Sequence, residues 1–463
     1  MAAPSNSPDS PRSAGGQATS GLPGPAGPVT HVRYVVFLMM FTAVVINYMD
    51  RANFNVSAPL IEQQFGFNVA QIGRISFIWG LAYALGNFPG GWFADKLGIR
   101  KAASLALGWW SIFTILSALA CSMFSWCVIR GLMGAGEAPI WPINAKATST
   151  WSAPSERARA FTLAGSGQFV GSMVGVFVSG LIVHWLGWRW TFILFGALGL
   201  LWVPIWWALI RDTPRSHPWV SDGELRFIQN AAGAVPRQGP EAHLGRDEMK
   251  QALRVMRTRN GIGVFLTFLT FGYILFTFLN WLPLYLHDTF HLSIVKSASW
   301  ASVSYLAGFV GFLVSGPIND GLVAKYGYAK GRKLGAGVPM GLMIVMMLAA
   351  LETSRWNLLA PSALLIGLSL LVMNASVGAW GVNAVDLAPT PQSSALVYGL
   401  YNGVLNLTGA GSSILVTVLA DRFGFVWAFA SALIFMAIFL FGLVVVIDRH
   451  GIAPALAEAP AAG

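Results

Sequence analysis

A chain of 463 residues in which 55% are hydrophobic and only 10% charged, with a mean hydropathy of +0.61, carries more apolar surface than a soluble core can bury. The formal charge of +10 does not imply nucleic acid, because basic residues gathered in short loops between apolar runs report membrane orientation. Composition therefore predicts an all-α, polytopic membrane protein that works in the lipid bilayer and binds no nucleic acid.

In chain order, residues 1–30 are rich in Pro, Gly, Ser and Ala without an apolar core, and are expected to be a disordered tail rather than a cleaved signal. The first span, residues 34–59, keeps Asp50 and Arg51 side by side within it. Ionisable groups inside a span are expensive and face a partner or a cavity, so this pair marks a candidate site. Asp50 lies roughly 24 Å from Tyr34 along the helix, inside a hydrocarbon core of about 30 Å but nearer its far side, which leaves snorkelling as the alternative. The uncharged run 75–94 is the second span. Residues 102–129 are too long for one span and are divided near 117–125 into a third helix and the start of a fourth, which continues through Arg130 and Glu137 to about Trp151. Cys121 and Cys127, close to that division, can pair or serve as small packing residues.

Residues 160–183 and 190–210 supply spans five and six. A mixed-charge stretch at 212–258 with Pro214, Pro218 and Pro236 reads as a solvated linker carrying a surface helix. Six further runs follow at 260–286, 297–319, 334–351, 356–385, 387–420 and 423–447, and residues 450–463 form a second disordered tail. The expected organisation is thus a six-helix bundle at 31–211, the linker, and a second bundle at 259–449. With twelve spans both termini share one face. Loops on the other face hold Arg74, Arg189, Lys296, Arg355 and Arg422, against 21 Lys and Arg in the tails and remaining loops, which places both termini in the cytoplasm.

The halves echo each other. Gly90 to Lys101 after span two is matched by Gly316 to Asp320 and then Gly331-Arg332-Lys333 after span eight, and Leu186-Gly187-Trp188-Arg189-Trp190 by Arg422-Phe423-Gly424-Phe425-Val426-Trp427. The Gly91-x-x-x-Asp95-Lys96-x-Gly98-x-Arg100-Lys101 loop resembles the signature of the major facilitator superfamily. Asn47-Tyr48-Met49-Asp50-Arg51-Ala52-Asn53, Arg130-Gly131-x-x-Gly134-x-Gly136-Glu137-Ala138-Pro139 and Ser166-Gly167-Gln168-Phe169-Val170-Gly171 resemble its anion:cation symporters, and among them bacterial transporters of galactonate, glucarate and hexuronates. The resemblance covers residues 31–449 and is stronger in the first half; in the second, Trp281-Leu282-Pro283 and Asn402-x-x-x-Asn406 are similar to the family. It implies proton-coupled import of an organic anion by alternating access in the cell inner membrane, with a monomer as the functional unit and no cofactor besides the coupling proton. It also implies that Tyr48, Tyr83 and Gln168 line the sugar-acid site with Asn402 and Asn406, and that Asp95, Arg100 and Lys101 latch the cytoplasmic side.

Independently of the resemblance, Arg130 on the inward-running fourth span falls level with Asp50 and Arg51, so the three are expected to meet across one cavity. Glu137 follows on the same face about 10 Å further inward, among Gly136, Ala138, Pro139 and Ile140. The expectation is that Asp50 is countered by the arginines while Glu137 is surrounded by apolar groups, which separates a coupling switch from a proton site. Two arginines suit a carboxylate, since a guanidinium fork matches it bidentately and stays charged when desolvated. Gly131, Gly134 and Gly136 serve either close packing or access to the site. Asp95, at the cytoplasmic end of span two, can accept from the free N–H groups of a helix that starts on that face. No metal-ligand cluster or nucleotide loop appears, so the chain reads as a non-enzyme. Efflux, uptake of another carboxylate, and a ligand-binding sensor are the competing readings.

Overall fold

The computed structural model describes residues 29–230, 246–292, 294–389 and 393–447, and every element in it is a helix. The expected tails, apart from residues 29 and 30, and the middle of the linker lie outside these residues. The first half contains α1 (Val32–Phe65), α2 (Val69–Ser117), α3 (Met123–Glu137), α4 (Ile140–Trp151), α5 (Arg157–Gly165), α6 (Gly167–Leu186) and α7 (Trp188–Leu209). Two short helices, α8 (Asp222–Asn230) and α9 (Arg246–Met256), belong to the linker. The second half contains α10 (Arg259–Phe290), α11 (Ile294–Tyr326), α12 (Tyr328–Arg355), α13 (Leu359–Ala375), α14 (Val377–Asp386), α15 (Ser394–Phe423) and α16 (Phe425–Phe441).

Nine helical stretches among the described residues are by themselves long and apolar enough to cross a membrane. α2 adds two crossings: its 49 residues would extend roughly 70 Å, more than twice a bilayer core, and it bends at Gly98. α3 and α4 together make the twelfth, which stands apart in composition because it carries Arg130, Glu137 and Lys146. The division near 117–125 falls where expected, with Ser122 capping α3 through the Ser125 N–H at 3.2 Å. The eleventh span begins at Ser394 rather than 387, because Pro389 and Pro391 have no N–H to continue a helix.

Gly98, Gly187, Gly327 and Gly424, at the turns between spans 2 and 3, 5 and 6, 8 and 9, and 11 and 12, share one backbone conformation with φ of 79–87° and ψ of 163–167°. That region is essentially closed to residues with a Cβ. The internal repeat is therefore written in backbone geometry, and the counterpart of Gly98 is Gly327.

α1 packs on α6 through Gly167, Gly171 and Gly175, where an added Cβ would lie 2.3–2.7 Å from the α1 backbone. The bundles meet where α2 crosses α15 and where α5 crosses α11. At the first crossing, a Cβ on Gly91 would stand 2.2 Å from the Ala395 carbonyl oxygen. The linker is fastened to the first bundle. Fully buried Glu224 of α8 accepts the Val32 and Arg33 N–H groups at 3.1 Å each, the Thr30 hydroxyl at 2.7 Å and the Arg33 guanidinium at 3.0 Å. A distant carboxylate thus caps the first helix, and Arg33 also pairs with Glu156 at 2.9 Å.

Candidate functional site

Four ionisable side chains of the first bundle gather inside the membrane-spanning region, but not in the pairing read from sequence. Arg51 Nε contacts Glu137 Oε2 at 3.0 Å, so Glu137 is an ion-pair partner rather than an isolated acid. Asp50 instead accepts a hydrogen bond from the Trp110 indole at 3.1 Å, and both are fully buried. The reason is helical geometry: residues adjacent in sequence leave the helix about 100° apart, so Asp50 turns toward α2 and Arg51 toward α3. Arg130 forms no direct pair with Asp50; it donates to the Met133 sulfur at 3.2 Å and lies 4.4 Å over the Phe54 ring. It still shares the electrostatic field of Asp50, Glu137 and Arg51.

The Arg51 guanidinium is cradled by aromatic rings, 4.5 Å from the centroids of Tyr48 and Tyr83 and 4.8 Å from Trp79. Trp79 also lies 5.6 Å from Arg130, so one indole is shared by both cations. Arg51 Nη2, Arg130 Nε and Glu137 Oε1 are buried and form no direct hydrogen bond, although Tyr83 and Trp79 stand near enough to Arg51 and Glu137 to interact with them. Polar capacity of this kind in a desolvated place suits a carboxylate that arrives with a proton. The glycines beside Glu137 serve packing: a Cβ on Gly134 would meet the Trp79 carbonyl at 2.4 Å, and one on Gly136 the Trp109 ring at 2.2 Å.

Asn402 and Asn406 are on α15, which crosses α2 at the seam between the bundles. Asn402 Nδ2 donates to Asn87 Oδ1 at 2.7 Å, and Asn87 in turn donates to the Tyr83 carbonyl at 2.7 Å. Asn406 donates to the Asn402 carbonyl within its own helix. Tyr398 stands close enough to Tyr48 and Tyr83 to interact with them electrostatically. Gln168 is half-buried on α6. Cys121 and Cys127 are free thiols, Cys121 on the surface.

On the face that bears the linker, Asp95 accepts the Ala395 and Leu396 N–H groups at 3.2 and 2.6 Å, as its position at a helix end predicts, and pairs with Lys146 at 3.3 Å. The expected contribution of Arg100 and Lys101 to this contact is not present. Arg100 donates to the Trp207 carbonyl of its own bundle at 2.6 and 3.0 Å and stacks on the Trp207 ring, and Lys101 is exposed. Their place is at the flank of the bundle, where an arginine stem covers apolar surface. Asp320 repeats the Asp95 contact, accepting Ala158 and Arg159 N–H at 3.2 and 2.9 Å, with Arg332 at 4.0 Å. Arg157 adds a buried pair with Asp386 at 2.6 Å, and Tyr328 donates to the same carboxylate. These contacts close the linker face.

Sequence reasoning assigned no role to Trp79, Asn87, Trp110, Lys146, Arg157 or Asp386. Lys146, the second cation of the fourth span, was a signal for a partner; Arg157 and Asp386, 229 residues apart, offered none.

The profile of the Major Facilitator Superfamily matches residues 40–413, and the chain belongs to that family of transporters; it is not an enzyme. It is 30% identical to a D-galactonate transporter of Escherichia coli O6:H1 over 88% of this chain and 92% of that one. It is 27% identical to a probable galactarate/D-glucarate transporter of Bacillus subtilis (strain 168), over 89% and 90% of the two chains. The fold is that of the proton:xylose symporter bound to 6-bromo-6-deoxy-D-glucose, with a TM-score of 0.69 at 15% identity over 92% of this chain and 98% of that one.

Proposed function

We propose that this transporter imports a sugar acid of the aldonate, aldarate or hexuronate type together with a proton, by alternating access, with both termini in the cytoplasm. The observation that carries the reading is the Arg51–Glu137 pair: a buried guanidinium with one nitrogen on a carboxylate, another that forms no direct hydrogen bond, and a hydroxylated aromatic cradle around it. The similarity to sugar-acid transporters supports the same class of solute.

In this mechanism Glu137 and the substrate compete for Arg51. Protonation of Glu137 removes its hold on the guanidinium, which turns to the substrate carboxylate and forms charge-assisted bonds. Tyr48, Tyr83 and Gln168 offer hydroxyl and amide partners to the polyol chain. Asp50, bound by the Trp110 indole and sharing the field of Arg130, is the coupling switch rather than a substrate ligand. Once proton and anion are both bound, the site is neutralised, the Asp95 and Asp320 contacts release, and the linker face opens.

The test is uptake into proteoliposomes of the purified full chain. Radiolabelled galactonate, glucarate and glucuronate are offered with and without an inward proton gradient. Accumulation of at least one acid that collapses with a protonophore is expected. Transport of none of them, or transport indifferent to the proton gradient, overturns the reading.

A further inference from the structure

The relatives divide between carriers of a monoanion, galactonate, and of dianions, galactarate and glucarate, and similarity to both leaves the substrate's charge undecided. We propose that this site is built for a single carboxylate: it takes aldonates and uronates and discriminates against the aldarate of the same carbon chain. The proposal rests on the Arg51–Glu137 reading above and concerns the wall that faces it.

The first bundle supplies two guanidinium groups, Arg51 and Arg130, and two carboxylates, Asp50 and Glu137, within one electrostatic cluster. One proton taken up by Glu137 leaves Asp50 as the single counter-charge to two guanidinium groups, so the cluster has one positive charge in excess and room for one carboxylate. A second would need a cation from the opposite wall. From residue 260 to 447 every Lys and Arg (Lys296, Lys325, Lys330, Arg332, Lys333, Arg355 and Arg422) stands within six residues of a helix end, and none at mid-membrane depth. Arg332 and Lys333 are moreover committed on the linker face, to the Gly378 carbonyl at 3.0 Å and the Ile447 carbonyl at 2.8 Å.

At the depth of the Arg51 cluster, what the second bundle brings to the seam is neutral. Tyr398 stands opposite Tyr48 and Tyr83 with its ring 5.7 Å from those of Phe161 and Phe268, and Asn402 is tied to Asn87. Phenol and amide groups receive a hydroxyl at the far end of a sugar acid. A carboxylate placed there gives up hydration and finds no opposite charge, a cost that neutral hydrogen bonds do not offset.

Binding of the purified wild-type chain is measured by calorimetry against a six-carbon aldonate, the uronate, the aldarate of matched stereochemistry and the neutral lactone. Aldonate or uronate should bind at least about tenfold more tightly than the aldarate. Asn406→Arg removes only a bond within its own helix and adds a cation beside Asn402, so it should improve aldarate binding relative to aldonate. Aldarate binding as tight as aldonate with the lactone inactive overturns the single-carboxylate inference and leaves the anion reading standing. Lactone binding as tight as aldonate, or binding of no sugar acid, overturns the anion reading and this inference with it.

Discussion

Asp95 and Asp320 perform the same act in opposite directions. Each stands at the end of a span, each accepts the N–H groups of the second and third residues of a helix in the other bundle, and each has a cation of its own bundle close by. The two contacts differ in what surrounds them. The cation behind Asp95 is in contact at 3.3 Å and that behind Asp320 stands at 4.0 Å. The first residue of α15, Ser394, meets Ser149 through hydroxyls at 2.9 Å, whereas the first residue of α5, Arg157, forms a buried salt bridge with Asp386. Deeper in the membrane the halves diverge entirely, with four ionisable groups clustered in the first and a neutral aromatic wall in the second. Closure has kept its two-fold character through the repeat, while charge chemistry has settled on one side.

The largest expected effect falls on the charged interior. Glu137→Gln mimics the protonated acid permanently, so proton-driven accumulation should be abolished while substrate binding and exchange of internal for external substrate persist. Wild-type accumulation by this variant under a pH gradient would remove Glu137 from coupling.

Next comes the salt bridge between the bundles beside Asp320. Arg157→Ala leaves Asp386 buried without its cation, which costs about 3–5 kcal/mol in the conformation closed on the linker face. Labelling of a cysteine introduced near the site from the linker face should rise steeply; unchanged labelling would mean that the bridge persists when the bundles part.

Arg51→Lys keeps the charge but loses the planar fork and its fit among three aromatic rings. Affinity should fall by about ten- to hundredfold, the equivalent of one charge-assisted bond of roughly 1.5–3 kcal/mol. Normal affinity would show that the arginine is a structural partner of Glu137 and no more.

The smallest effects separate the two contacts themselves. Replacing either aspartate by Asn removes a charge at a helix N-terminus, about 0.3–1 kcal/mol and up to about 2 when partly buried. Asp95→Asn should shift linker-face labelling more than Asp320→Asn, because it also strips a contact partner from buried Lys146. Equal shifts would mean that the local cation is immaterial to closure.

The crossings of this fold were legible because twelve apolar runs and their caps are local properties, and so was the Asp95 contact, since a carboxylate at a span's end seeks free N–H groups. The partners of Asp50 were not. Adjacency of Asp50 and Arg51 in sequence suggested a pair, yet a helix sends neighbours in different directions, and the Trp110 that receives Asp50 looks in sequence like one more apolar residue of span three. Asp386 was similarly silent, a single acid at the end of a long apolar run whose partner lies in the other half. Long-range pairing in a helical membrane protein is set by rotation of each helix about its axis, which apolar composition does not encode.

Glu224 has a consequence for synthesis. The N–H groups at the very start of α1 are satisfied by a carboxylate 191 and 192 residues further along the chain. At roughly 5–20 residues per second, a ribosome that has released the first span needs on the order of 10–40 s to deliver that carboxylate. The first span therefore spends the assembly of its whole bundle with an uncapped end, and the linker helix is the piece that finishes it.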